Sequence, residues 1–296
     1  MNEVGLMLKT YLGDFSYCSR LIKSFHRYNT ESLKLFLVVP NEDISDFSQF
    51  RTDDVHIIPD EEIPVSYIAA DEPRPGLVGI ANAGISKLGF WELGLLENYF
   101  AIDSDMVFIR PFGSEDFLSA DGVPFLVVSQ GLDQITDPFY FSRYWAGREA
   151  SMALVAEQIG FDNFLGKAVH NSQILNSQVL RSLKEDFLGP KGTDYAHLMK
   201  TANYEFFWYT IWALKQQKIS LRVREELVKM VHHQGEHLRL ADQGIRKDDL
   251  ARGYLGVIVN SNWSKQYGLV DFDQPPRDLY LTQGTWGQWY QAQSTG

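Results

Sequence analysis

The apolar residues of this 296-residue chain fall into short unbroken runs, separated by stretches in which they recur every three or four positions. Val4-Gly5-Leu6-Met7-Leu8, Leu35-Phe36-Leu37-Val38-Val39 and Val55-His56-Ile57-Ile58-Pro59 have the length of strands, and Pro40-Asn41 stops the second. Between the first two, Phe15, Cys18, Leu21, Ile22 and Phe25 share one helical face, with Asp14 placed as the N-cap. Leu88, Trp91, Leu95 and Leu96 predict another helix, which leads into the run Asn98-Tyr99-Phe100-Ala101-Ile102. This alternation is a βαβ series. It implies an α/β fold with a mostly parallel, Rossmann-type sheet, right-handed crossovers and helices on both faces.

The second half is less regular. Phe125-Leu126-Val127-Val128, Val228 to Val231 and Tyr254 to Val259 read as strands. Met152 to Ile159 reads as a short amphipathic helix closed by Gly160, and Val169-His170-Asn171 with Ile174-Leu175-Asn176-Ser177 precede a helix through Leu183. Tyr204, Phe207, Trp208, Ile211 and Leu214 line one face of a further helix, while Asp133 to Tyr144 and Gly189 to Gly192 read as loops. No repeat or linker divides the chain, so a single domain over 1–296 is expected, with a regular half (1–112) and a mixed half (113–296).

The chemistry concentrates at Asp103-Ser104-Asp105. One apolar run delivers the two carboxylates to the end of a buried strand, and a second, Met106-Val107-Phe108-Ile109, follows at once. Two bare anions there are costly unless one takes up a proton or a counter-charge arrives. Mg²⁺ or Mn²⁺ meets that need, because hard cations take carboxylate oxygens together with substrate phosphates. The plain alternative is a solvated Asp-Ser-Asp turn. In an open sheet, ligands bind beyond the carboxyl ends of the strands, which adds Thr10 and Tyr11 as candidates.

Composition narrows the classes. With 45% hydrophobic residues the chain can bury a full core, and a net charge of −11 argues against nucleic acid, which needs clustered Lys and Arg. Cys18 is the sole cysteine, so no intrachain disulfide forms, and its position predicts a buried core residue. Glu3 and Lys9 interrupt the first apolar stretch, and no run reaches the roughly 20 residues of a membrane span, so a cytoplasmic protein without signal peptide or transmembrane segment is expected.

The chain resembles the bacterial glycosyltransferases of the GT-A fold. The matching stretches are the opening from Lys9-Thr10-Tyr11 through Asn29, then Ser86-Lys87-Leu88, then Ala101-Ile102-Asp103-Ser104-Asp105-Met106-Val107. Asn176-Ser177 and the Tyr204-Glu205 helix resemble the acceptor-side half. The resemblance implies that residues 1–112 bind a nucleotide-sugar, a UDP-sugar first among donors, and that 113–296 take a carbohydrate or glycoconjugate acceptor. It implies Asp103 and Asp105 as ligands of Mn²⁺ or Mg²⁺ beside Ser104, Tyr11 as the platform for the base, and Lys87 near the ribose or phosphate. Glycogenin-like members add a late histidine to the metal. His232, His233 and His237 are available here, with His233 as the candidate, although Val231-His232-His233-Gln234-Gly235-Glu236-His237 departs from that motif.

An inverting transfer also needs a carboxylate base. Glu205 is the first candidate, because it opens an aromatic helix where burial raises a carboxyl's proton affinity; Asp137, Asp194 and Asp133 follow. As a helix N-terminal acid, Glu205 equally suits the macrodipole. Tyr11 can equally close the core, and Lys87 can be a solvated helix residue. Two rival functions stand beside the transferase. Asp103 could be the nucleophile of a haloacid-dehalogenase-like phosphatase, with Lys247-Asp248-Asp249 as its later residues, but that motif normally follows the first strand and here three strand-like runs precede it. The other is a sugar- or nucleotide-binding module without turnover.

Overall fold

The computed structural model describes residues 4–69, 75–129, 131–161 and 172–294. Its strands are β1 (Val4–Lys9), β2 (Leu35–Val39), β3 (Val55–Pro59), β4 (Asn98–Ile102), β5 (Met106–Phe108), β6 (Phe125–Val127), β7 (Gln173–Asn176), β8 (Arg222–Arg224), β9 (Val228–Val231) and β10 (Gly256–Val259). Longer helices are α1 (Phe15–Tyr28), α2 (Pro75–Gly89), α3 (Ala146–Ile159), α4 (Glu205–Gln216) and α5 (Gln234–Asp242). The main sheet runs β3-β2-β1-β4-β7, parallel except for β7, which pairs antiparallel with β4. The expected α/β fold with a mostly parallel sheet is what the chain forms.

The unbroken apolar runs have a simple cause: both faces of this sheet are covered. Alternate residues feed two cores. Met7, Phe36, Val38, Tyr99 and Ala101 join one with α2 and α4, while Leu6, Leu8, Leu37, Phe100 and Ile102 join the other with Cys18, Leu21, Ile22 and Phe25 of α1. Burial pushes the Cys18 thiol up to about 12, so it is an inert core group. A second sheet, β5-β10-β9, continues from the end of β4, with β10 antiparallel to β5 and parallel to β9. A two-stranded pair, β6 with β8, completes the strands.

Several sequence expectations change. The helix before β4 ends at Gly89; a 3₁₀ turn over Phe90–Leu93 and Gly94 at φ +67° then redirect the chain, a conformation open to glycine. Leu95 is therefore exposed, and Leu96 packs on Gly5. Asp133 to Tyr144 is not a loop but helical turns at Leu132–Ile135 and Pro138–Tyr140 followed by a π-helical stretch, Phe141–Trp145. Gly189–Lys191 is likewise a helical turn. In α4, Phe206 through Ala213 are all buried, so this helix is a core element without a solvent face. Val169-His170-Asn171 lies outside the described residues. Among the described residues no helix is long and apolar enough to cross a membrane.

Candidate functional site

In the register of β1 with β4, Leu8 stands opposite Ile102, so the segments that leave both strands emerge side by side. Ser104 Oγ donates to Thr10 Oγ1 at 3.0 Å, and both residues are buried. Asp103 to Met106 forms the turn into β5, closed by the Met106 amide on the Asp103 carbonyl at 3.2 Å. It is a turn, then, but only Asp103 is appreciably open to solvent, its side chain 39% exposed. Asp105 is buried, with Oδ2 accepting the Ser261 amide at 2.7 Å.

Lys87 gives this turn its electrostatics. The side chain is 3% exposed, and its ammonium donates to Asp103 Oδ1 at 2.6 Å and to Glu205 Oε1 at 2.8 Å. The ring of Phe206 lies 5.0 Å from the same nitrogen, a cation–π contact, and Tyr99 Oη donates to the Lys87 carbonyl at 2.7 Å. Burial works against the charged lysine, but the two carboxylates outweigh it and raise its pKa. Gly84, one turn earlier on α2, leaves room for Glu205: a Cβ there would meet Glu205 Oε2 at 3.3 Å and Met199 Sδ at 2.7 Å. Lys87 is thus a buried bridge and not a solvated helix residue.

Asp103 and Glu205 share one ammonium here, while Asp105, two residues along the turn, faces Ser261 and Arg20 and feels, of these two, only the charge of Asp103. Arg20 lies close enough to Asp105 to feel its charge, but it faces Asp271 as well. The consequence shows at Asp105: burial, with the like charge of Asp103 behind it, pushes its carboxyl up to about 6 despite the Ser261 amide. The donor set is hard oxygen with an excess of negative charge. It suits a Mg²⁺ or Mn²⁺ ion bound through one or two carboxylates and completed by phosphate oxygens.

Tyr11 stands at the rim of the same end, its ring 48% exposed and resting against Gly13. Lys265 Nζ donates to Tyr11 Oη at 3.3 Å, to the Gly13 carbonyl at 3.0 Å and to Asp14 Oδ1 at 2.9 Å. Asp14 holds the N-cap position of α1 without a side-chain capping bond and spends its carboxylate on Lys265 instead.

The remaining candidates fall elsewhere. Because β10 aligns Ile258 with Met106 on one side and Met230 on the other, the Asp-Ser-Asp turn, Asn260-Ser261 and His232-His233 end along one edge. His233 is two strand spacings from the turn, about 10 Å. There its Nε2 lies 3.0 Å from Asp137 Oδ2, angled away from a hydrogen bond, and Phe139 packs 4.7 Å from the ring. Asp137 also caps its helix by accepting the Tyr140 amide and receives Arg239 at 2.9 Å. Burial alone would raise its carboxyl, but His233, the Tyr140 amide and Arg239 hold it well below the usual range. His232 is tied to Glu236 and Gln134, and His237 to the Phe272 carbonyl and Tyr280. Asp194 is an exposed cap that accepts the His197 amide. Asp133 lies on the Leu132–Ile135 turn, its side chain outside what the structure describes.

The structure therefore brings together Thr10, Ser104, Asp103, Asp105, Lys87 and Glu205, with Tyr11 at the rim. It does not bring His233 to the aspartates, and among the described residues no third His, Cys, Asp or Glu joins them in a metal-holding group. Ser261 and Lys265 were missed by the sequence reading. The rule that selected Thr10 and Tyr11 would have found Ser261, since Asn260-Ser261 directly follows the apolar run that ends at Val259.

Mouse xyloside xylosyltransferase 1, in a crystal structure of its apo form, is similar to this chain with a TM-score of 0.48 and 10% identity, over 88% of this chain and 98% of that one. No protein of curated function matches the sequence. A family model matches residues 1–259, and on that match the chain belongs to DUF6492, a family of unknown function.

Proposed function

We propose that this chain is a metal-dependent glycosyltransferase of the GT-A type, moving a sugar from a nucleotide-sugar, UDP-linked first among donors, to a hydroxyl of a carbohydrate or glycoconjugate. The observation that carries this reading is the buried turn at the carboxyl end of the central strands. It joins Asp103 and Glu205 through the single Lys87 ammonium and carries Asp105 on the same turn, so the carboxylates outnumber the lysine. When bound, the dication supplies the charge that stabilises a departing diphosphate. Asp103 and Asp105 would hold it, and no third protein ligand is required if phosphate oxygens and water fill the other positions. Thr10 fixes the turn through Ser104, and Tyr11 offers an exposed ring for the base. Lys87 holds Asp103 and Glu205 in place, and Glu205 stands next to the turn as the acceptor for the hydroxyl proton.

Calorimetry with UDP and Mn²⁺ tests the reading. Asp105→Asn keeps the acceptor for the Ser261 amide but loses a ligand charge. UDP affinity in the presence of Mn²⁺ falls by at least about 10–100-fold, the effect of losing even an outer partner of a metal. Unchanged affinity in the variant, or in the parent after chelation with EDTA, would sink the metal site. Release of UDP from a UDP-sugar separates the transferase from a binding module, and phosphate release from a phosphomonoester would point to the phosphatase.

The pH dependence of the chelated protein gives a second check. A carboxyl whose folded pKa is raised stabilises the native state below its unfolded value, near 3.9, and that contribution is lost as pH rises through about 6. The parent therefore loses stability relative to Asp105→Asn between about pH 4 and 6, by on the order of 2–3 kcal/mol at pH 8. Melting temperatures of both proteins in EDTA across pH 4 to 8 measure it. A constant difference between them would show that Asp105 carries no such strain.

A further inference from the structure

The helix α5 and two later ones, α6 (Arg277–Thr282) and α7 (Gly284–Ser294), border an open pocket of about 350 Å³ that the site above leaves unused. Small-molecule sites span about 300–1,000 Å³, so this one has room for a small ligand. Its wall combines a stacked aromatic pair with a planar set of donors and acceptors. Trp286 and Tyr290 stack at 5.0 Å with 22° between their planes. Trp286 is 7% exposed and Tyr290 44%, so Tyr290 is the outer ring of the stack. The inner ring is seated by design of the backbone: a Cβ on Gly235 would fall 2.1 Å from the Trp286 indole nitrogen. That contact accounts for a glycine inside α5, a position where helix propensity alone counts against it.

The same pocket is lined by Arg277, ion-paired with Asp242, and by Gln243 and Arg239. Arg239 also reaches Asp137 at 2.9 Å. Each arginine is thus matched by a carboxylate, which leaves little net charge to attract an anion. A guanidinium, a carboxylate and an amide next to an exposed ring form a surface for a ligand that both donates and accepts hydrogen bonds along its edge and offers C–H groups on its face. A neutral sugar ring has that chemistry.

We propose that this pocket is a second saccharide-binding site, which takes a neutral sugar unit of a bound glycan on Tyr290, with its hydroxyls shared among Asp242, Arg277 and Gln243. It lies on the half of the chain expected to hold the acceptor and connects through Arg239 and Asp137 to His233 at the edge shared with the Asp-Ser-Asp turn. Its role as an acceptor subsite rests on the transferase reading; its binding of sugar does not.

The test is equilibrium binding, without turnover. An array of neutral and anionic oligosaccharides is probed with the whole protein, and the strongest neutral ligand is titrated by tryptophan fluorescence against the parent, Tyr290→Ala, Asp242→Asn and Asp103→Asn. Neutral glycans bind, affinity falls on the order of tenfold in Tyr290→Ala and in Asp242→Asn, and Asp103→Asn binds like the parent. Matching circular dichroism of the Asp242→Asn variant guards against a mere folding defect. Binding confined to anionic glycans, absence of glycan binding, or loss in Asp103→Asn but not in Tyr290→Ala overturns the proposal. If UDP and Mn²⁺ fail to bind while neutral glycans still do, the transferase reading fails and the saccharide pocket stands.

Discussion

Replacing Glu205 with Gln lowers sugar transfer by about 10²–10⁴-fold while donor affinity stays nearly unchanged. The amide keeps the size and can still accept from Lys87, but it cannot take a proton from the acceptor hydroxyl. On the transferase reading donor binding is untouched, because the diphosphate would be held through Asp103 and Asp105, while Glu205 meets Lys87 by a separate bond. Steady-state kcat together with calorimetric UDP affinity separates the two effects. If kcat is unchanged, the base is not Glu205. Asp137 would be a poor replacement, since Arg239 and the Tyr140 amide already occupy its carboxylate, and Asp194 is committed to a helix end. A mechanism without a protein base would then be indicated.

Lys87→Met produces the largest loss of stability. Removing one partner from a buried ion pair leaves the other charge uncompensated, a cost of about 3–5 kcal/mol when burial is complete. Asp103 retains 39% exposure and water relieves part of that, so about 2–4 kcal/mol is expected at pH 7. The sign with pH is fixed by the groups left behind. The raised pKa of Lys87 makes its own contribution complete at every pH below its unfolded value near 10.4, and lost only above the folded one. Acid in general relieves uncompensated buried anionic charge, so the loss shrinks as pH falls toward 4. Urea denaturation at pH 7 and pH 4.5 measures it. An equal loss at both would mean that Lys87 acts through packing against Phe206 and not through charge.

The first half of the fold was legible because local pattern and tertiary environment agree there. Runs such as Leu35-Phe36-Leu37-Val38-Val39 are apolar at every position because helices cover both faces of the sheet, and the strand ends then select the site by topology alone. That rule brings Asp103, Asp105, Thr10 and Ser104 together as neighbours, and the structure has them so. The pairing of Lys87 with Glu205 was not legible, because it spans 118 positions and no local rule relates them. Glu205 was selected as a residue raised by burial, whereas the structure supplies it with a counter-charge. Gly235 is likewise set by a distant contact: helix propensity counts against it, but the indole of Trp286 needs the space. The histidines were candidates only through the resemblance, and their tertiary partners could not be read locally: His237 is consumed by the Phe272 carbonyl and Tyr280.

The segment that follows β10 binds the site from behind. Ser261 supplies the amide on Asp105, Lys265 holds Tyr11 and Asp14, Tyr17 Oη donates to the Gly268 carbonyl, and Arg20 donates to the Val270 carbonyl. These contacts span 156 to 254 positions. During synthesis, therefore, the sheet can form long before the turn is complete: Asp105 emerges from the ribosome well ahead of the amide that steadies it. Since distant contacts form only after the loop between them closes, the Asp-Ser-Asp turn is assembled among the last parts of the chain. A nascent or C-terminally shortened protein would carry a folded sheet whose Asp105 lacks the Ser261 amide, and on the transferase reading such a chain would not yet hold its donor.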